Sequence, residues 1–269
     1  MRWRLLYHGK QDGASNMAID EAIMWAHAEG RVPPTLRFYG WDPPTLSLGY
    51  AQKADREVDV EACRRAGVGL VRRPTGGRAV LHEHEVTYSV VISLELLPGS
   101  VTETYRQLSR GLVEGLRGLG FPADVQDAAP RTGERTAACF DSPSWYELVV
   151  EGKKVVGSAQ VRRGGVLLQH GSILLDFEPA RVVSLLRVPD ENWRARLQRN
   201  LAAHAAGLAQ LGRACSFEEV ARAVAAGFRQ GLGVEVEEGE LTPWEREQAE
   251  KLRHEKYGDE GWTLGKTGG

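Results

Sequence analysis

The chain has little of what marks several large classes of protein. It has three cysteines, an odd number that leaves no disulfide framework and fits a reducing, cytoplasmic setting. No stretch approaches the ~20 consecutive apolar residues of a membrane-spanning helix, so no membrane partner is expected. The opening MRWRLLYHGK lacks the apolar core and small-residue cleavage site of a secretory signal. Formal net charge is −2, which excludes the global basic field of a nucleic-acid binder. Internal repeats and low-complexity linkers are absent, as are the G-x-x-x-x-G-K-[ST] phosphate loop, the G-x-G-x-x-G fingerprint and the G-x-S-x-G elbow. His82 and His84 lie close together but lack further ligands at a telling distance, so no metal site is expected.

What remains is an ordinary globular composition, 42% hydrophobic and 26% charged over 269 residues, long enough for a sizeable core. Asn16–Glu29 reads as a helix, capped by Ser15 or Asn16 and stopped by Gly30, and it precedes the first strands. Leu36–Tyr39 and Thr45–Leu48 read as short strands around Pro43-Pro44. A short helix over Asp59–Ala66 leads to strands at Val68–Arg72 and Ala79–Ser93, the second broken near His82–Glu85, where charge replaces apolar alternation. Ser100–Leu119 is a helix opened by a Ser100/Glu103 capping box. The long loop Asp127–Ser144 leads into strands at Tyr146–Val150, Lys154–Arg162 and Val166–Leu175, with turns at Glu151-Gly152 and Gly164-Gly165. After Asp176 the chain is mostly helical, with capping boxes at Ser216/Glu219 and Thr242/Glu245, Pro243 at a first helical position, and a short strand at Val234–Val236. Helices and hairpins without strict βαβ alternation predict an α+β fold with a mixed sheet.

Two stretches carry chemistry. In Arg72–His82, RRPTGGRAVLH, arginines flank a Thr-Gly-Gly turn. Glycines let backbone approach another group closely, and arginines present fixed planar donors. The bland alternative is a hairpin turn with solvated arginines. Downstream, Cys139 sits in the long loop, Lys153 and Lys154 open a strand, Gly157-Ser158-Ala159 leaves room in mid-strand, and His170-Gly171 interrupts an apolar run. Only one of the two lysines can face a site on a given side of the sheet. Each residue has an ordinary reading too: an inert loop thiol, solvated lysines, a satisfied strand histidine. Cys63 and Cys215 stand beside apolar neighbours in helical segments and read as small core residues.

RRPTGGRAVLH, GKKVVGSAQVRRGGVLLQHGSILL (Gly152–Leu175) and KLRHEKYGDEGWT (Lys251–Thr263) together resemble the lipoate-protein ligase A/octanoyltransferase family of the biotin/lipoate attachment superfamily, from about Asn16 onward. The resemblance implies a mixed, largely antiparallel sheet flanked by helices, like class II aminoacyl-tRNA synthetases and biotin ligases. It implies one catalytic domain over 1–269, core about 30–250, with no accessory C-terminal domain. By motif register, Lys154 rather than Lys153 is the lysine that contacts the acyl carbonyl. The acyl-binding residues implied are Arg72, Thr75, Gly76, Gly77, Arg78, His82, Gly157, Ser158, Ala159, His170 and Gly171.

Cys139 resembles the nucleophile of the LipM-type octanoyltransferase branch. Such an enzyme takes octanoyl from octanoyl-acyl carrier protein as a cysteine thioester and passes it to a lysine of glycine cleavage H protein or another lipoyl domain. That reading requires no ATP and no metal. The alternative is the catalytic subunit of an ATP-dependent lipoate-protein ligase, needing ATP and Mg; against it, Arg78 stands where ligases commonly have a third glycine. A non-catalytic acyl-binding or carrier-docking module is disfavoured because both Cys139 and Lys154 are present. A biotin-repressor-like DNA binder is disfavoured because no helix-turn-helix or basic recognition helix is apparent.

Overall fold

The computed structural model describes residues 1–127, 138 and 146–265. Its strands are β1 (Arg2–Gln11), β2 (Thr35–Trp41), β3 (Thr45–Leu48), β4 (Gly69–Arg72), β5 (Val80–His82), β6 (Glu85–Ser93), β7 (Ala123–Asp127), β8 (Tyr146–Val150), β9 (Lys153–Arg163), β10 (Val166–Leu174) and β11 (Glu235–Glu238). Its helices are α1 (Gly13–Ala28), α2 (Ala54–Glu57), α3 (Val60–Arg65), α4 (Val101–Gly118), α5 (Pro179–Val183), α6 (Glu191–His204), α7 (Phe217–Leu232), α8 (Pro243–Leu252) and α9 (Glu260–Leu264).

An eight-stranded sheet runs β11-β1-β2-β6-β10-β9-β8-β7, and a three-stranded sheet runs β4-β3-β5. In the large sheet β1 pairs in parallel with β11 and β2, and every other neighbouring pair is antiparallel. This is the mixed, mostly antiparallel sheet flanked by helices that was expected.

Strand alternation separates a packing face from a working face. In β6, Val86, Tyr88, Val90 and Ile92 join the core cluster with α4 and α7 residues such as Leu108, Leu112, Val224 and Phe228. Thr87 and Ser89 point the other way, into hydrogen bonds with Glu85 and Asp20. In β10, Leu167 and Ile173 share the packing face, so His170 and Ser172 lie on the working face. Helix α1 and the small sheet stand on that side.

Local signals placed most elements. The capping boxes at Ser100, Ser216 and Thr242 all form. Both hairpin turns have positive φ at their two central residues: 51° and 75° at Glu151-Gly152, 54° and 75° at Gly164-Gly165. That backbone matches the right-handed twist of the flanking strands. Three expectations are corrected. A strand, β1, precedes α1. Asp12, not Ser15 or Asn16, caps α1 by accepting from Ser15 N. Cys215 lies in the loop before α7, half-buried against the core rather than inside a helix.

Candidate active site

Helix α1 carries an acidic side chain into the molecule. Asp20 is fully buried and accepts from Arg37 Nη1 (2.7 Å), Tyr39 Oη (2.8 Å), Ser89 Oγ (2.9 Å) and His170 Nδ1 (3.3 Å). Burial alone would raise its carboxyl pKa; the Arg37 charge and the His170 and Arg37 hydrogen bonds outweigh it and hold the carboxyl at about 2. An ionised Asp20 has no proton to give, so His170 carries its own on Nδ1. Its Nε2 lies 2.7 Å from the Thr75 hydroxyl, within hydrogen-bond distance. The relay Asp20–His170–Thr75 ties the β4–β5 turn to β10.

Asp20→Asn is therefore expected to cost about 3 kcal/mol or more at pH 7, because buried Arg37 loses its counter-charge. A depressed folded-state pKa stabilises the fold above the unfolded value and loses that effect as pH falls through the folded one. The gap between wild type and variant should thus narrow as pH falls from about 4 toward 2, measured by urea unfolding across pH. A gap constant across that window would refute the charge assignment.

The two arginines of the turn hold backbone. Arg72 Nη1 donates to the carbonyls of Gly49, Tyr50 and Gln52, its Nε to Trp262 O and its Nη2 to Thr263 O. It clamps β4 to the 49–52 loop and to α9. Arg73 donates to Ser47 O and Oγ, to Gly76 O and to Arg78 O, and so shapes the turn from inside. Arg78 pairs with Glu57 at 3.0 Å, toward α2. The end of β3 presses against the turn: a Cβ on Gly49 would stand 2.0 Å from Gly77 O, and Tyr50 N donates to Thr75 O. Only glycine permits that approach.

Between the sheets lies a cleft lined from both of them, by Ser47, Val80 and His82 on one side and Thr87, Gly157 and His170 on the other. Of the implied residues, Gly77, His82, Gly157, Ser158, Ala159, His170 and Gly171 line it. Thr75 stands just behind, on His170, and Gly76 meets it only through Arg73. Arg72 and Arg78 are turned elsewhere. Gly171 is needed because a Cβ there would meet Ser158 Oγ at 2.5 Å and Tyr88 Cε1 at 2.7 Å.

A bulge sorts the two lysines. β9 pairs Val156 with Leu148 but Lys154 with Val149, so the register slips by one residue between them. Leu148 and Val149 face opposite sides, and Lys154 therefore lies opposite Val156, on the face of Gly157 and Ala159. It is buried, 3% exposed. Lys153 Nζ instead donates to the carbonyls of Ala202 and Ala203 at the C-terminal end of α6. Cys139 and the rest of the expected Asp127–Ser144 loop, apart from Asp127 and Ala138, lie outside the described residues. Ala138 is described: it is buried and forms a parallel bridge with Ala79, the residue after the Arg78 end of the turn. Cys63 is buried in a core cluster, and burial pushes its thiol up to about 11, which makes it a poor nucleophile. Among the described residues no three His, Cys, Asp or Glu are grouped to hold a metal.

Asp20, Trp41, Ser47 and Glu85 also belong to the site and were not singled out from the sequence. Asp20 had one sequence signal, an acidic position between Met17 and Met24 on the apolar side of α1.

Residues 12–229 match the family described as the lipoyl protein ligase A/B catalytic domain. The chain is 57% identical over 266 residues to octanoyltransferase LipM of Kyrpidia tusciae, covering 96% of this chain and 97% of that protein. Octanoyltransferase LipM of Bacillus subtilis is 45% identical over 271 residues, 97% of each. Among solved structures, one of an archaeal lipoylation system, a bi-partite lipoate protein ligase and its E2 lipoyl domain from Thermoplasma acidophilum, matches with a TM-score of 0.85 at 29% identity, covering 100% of this chain and 98% of that one. A lipoate-protein ligase A bound with ATP matches with a TM-score of 0.80 at 29% identity, covering 98% and 99%.

Proposed function

The chain belongs to the lipoyl protein ligase A/B catalytic-domain family and is an acyltransferase, and from that premise we propose that it moves an octanoyl group from octanoyl-acyl carrier protein, through a thioester on Cys139, to a lysine of a lipoyl-accepting protein such as glycine cleavage H protein. The observation that carries transfer over ligation is the near-full-length likeness to octanoyltransferases, at 57% and 45% identity against 29% for the ligase structures. A cytoplasmic location belongs to the same proposal.

In the first step the Cys139 thiolate attacks the acyl carbonyl. The carbon–sulfur bond to the carrier breaks, the carrier leaves as a thiolate that takes up a proton from solvent, and the acyl group stays on Cys139 Sγ. In the second step a neutral lysine amine of the acceptor attacks that thioester. An amide forms, the amine gives up a proton to solvent, the bond to Sγ breaks, and the Cys139 thiolate is regenerated. Thioester exchange is nearly balanced, and amide formation draws the sequence forward. A free thiol is only a few per cent ionised at neutral pH, so it needs a nearby cation. Lys154, buried on the cleft face of β9, is the group assigned to lower its pKa and to stabilise the oxyanion of each tetrahedral intermediate. The bridge of Ala138 to Ala79 supports this, since it anchors the chain immediately before Cys139 beside the turn. No ATP or metal enters the sequence.

The test is the intact mass of the protein after incubation with octanoyl-acyl carrier protein without ATP. A single octanoyl adduct on Cys139 that disappears when H protein is added is the expected result. Acceptor modification only with ATP and free octanoate or lipoate, and no adduct, would instead establish the ligase reading, which the likeness to an ATP-bound ligase keeps in play.

A further inference from the structure

One end of the cleft is built from polar groups that an alkyl chain does not need. His82 is 7% exposed and stacks on Trp41, ring centroids 4.0 Å apart at 16°. Its Nε2 lies 2.8 Å from Ser47 Oγ, which itself accepts from Arg73 Nη1 at 3.0 Å. Glu85 lies against the other ring nitrogen, Nδ1, which favours the neutral tautomer with its proton there, and Ser47 Oγ then donates to Nε2. Burial foremost lowers the pKa of His82 and keeps the ring neutral. Its single proton is then on Nδ1, facing Glu85.

Glu85 Oε1 is 3.5 Å from Nδ1, without forming a hydrogen bond, and Nδ1 is the buried side-chain polar atom left without a partner among the described residues. Glu85 is otherwise well held: Thr87 Oγ1 donates to it at 2.7 and 2.9 Å and Ser172 Oγ at 2.5 Å. Trp41, Ser47, His82, Thr87 and Ser172 all line the cleft. An orphaned buried donor beside a carboxylate costs free energy unless a third group completes it.

The chemistry of that third group is restricted. It must accept from Nδ1–H and, lying against Glu85, donate to a carboxylate. A hydroxyl does both. A methyl does neither, a carbonyl only accepts, a carboxylate is repelled by Glu85, and an ammonium has nothing to offer Nδ1–H. The position along the cleft is also set. Ala79, bridged to Ala138, begins the segment that His82 ends, and three strand residues span roughly 10 Å at ~3.3 Å each. That is a reach comparable with a medium-length acyl chain.

We propose that His82 and Glu85 form a hydroxyl-binding subsite at the tail end of the cleft, so that the enzyme takes medium-length acyl chains bearing a terminal hydroxyl as well as plain ones. The inference rests on the acyl-transfer reading for the direction in which the chain enters.

Binding of the N-ethyl amides of octanoic and 8-hydroxyoctanoic acid to the full chain, by calorimetry, tests it. The amides do not react, so the result is independent of the Cys139 chemistry and separates this subsite from the transferase reading. The hydroxylated amide should bind wild type at least as tightly as the plain one. His82→Phe, which keeps a ring to stack on Trp41, should shift the preference at least tenfold toward the plain amide. The proposal fails if wild type binds the plain amide and discriminates tenfold or more against the hydroxylated one. It fails equally if His82→Phe leaves the preference unchanged, or if neither amide binds.

Discussion

Replacing Cys139 by serine is expected to remove the octanoyl adduct and lower transfer to the lipoyl acceptor at least ~10³-fold, as loss of a covalent nucleophile does elsewhere. The thiolate attacks and the thiolate leaves, so both halves of the proposed reaction run through one low-pKa sulfur. Serine matches the size but not the ionisation: a neighbouring ammonium that makes a useful fraction of thiolate makes almost no alkoxide. An acyl group that did reach serine would sit in an oxyester, a poorer donor to an amine. The measurements are intact mass after exposure to octanoyl-acyl carrier protein and the steady-state rate with H protein. Transfer within tenfold of wild type would remove Cys139 from the mechanism. A circular dichroism melt coincident with wild type separates chemistry from folding.

Lys154→Met should lower kcat/KM by ~10²–10³, equivalent to about 3–4 kcal/mol of transition-state stabilisation. Methionine keeps much of the length and apolar stem of the buried lysine and removes only the charge. Arginine should not restore the rate, because a planar guanidinium does not occupy the place of a compact ammonium. Both steps should slow, since each passes through an oxyanion; single-turnover acylation and deacylation rates read them separately. Lys153→Met is the internal comparison. Its Nζ serves the end of α6, a contact worth ~0.3–1 kcal/mol of stability, so its activity should stay within about twofold of wild type. Equal losses at both positions would refute the division that the β9 bulge makes between them.

Much of the fold was legible because its signals are local. A capping box, a two-residue turn or the charged break between β5 and β6 acts within a few residues. β1 and β7 escaped for opposite reasons. β1 is buried on both faces from Trp3 to Leu6, which erases alternation, and β7 is a short, mostly polar strand at the sheet edge. Part of each of the first two motifs was legible because the motif is contiguous: Gly77 and His82 of one and Gly157 to Ala159, His170 and Gly171 of the other meet at one cleft.

By itself, then, the sequence determined the α+β class, the strands of the central hairpins, and the turn and strand that meet at the cleft. These follow from neighbours in the chain and from the pleat. Tertiary structure alone decided what the motif residues do. Arg72 and Arg73 read as ligand donors until burial among carbonyls made them backbone clamps. Lys154 lies on the Gly157 and Ala159 face of β9 because of a one-residue register slip that no spacing announces. Asp20 and Glu85 acquire their roles from histidines 150 residues away in one case and on the next strand in the other. A side chain's charge is written in its chemistry, but its partner is set by which elements pack together, and that depends on the whole core.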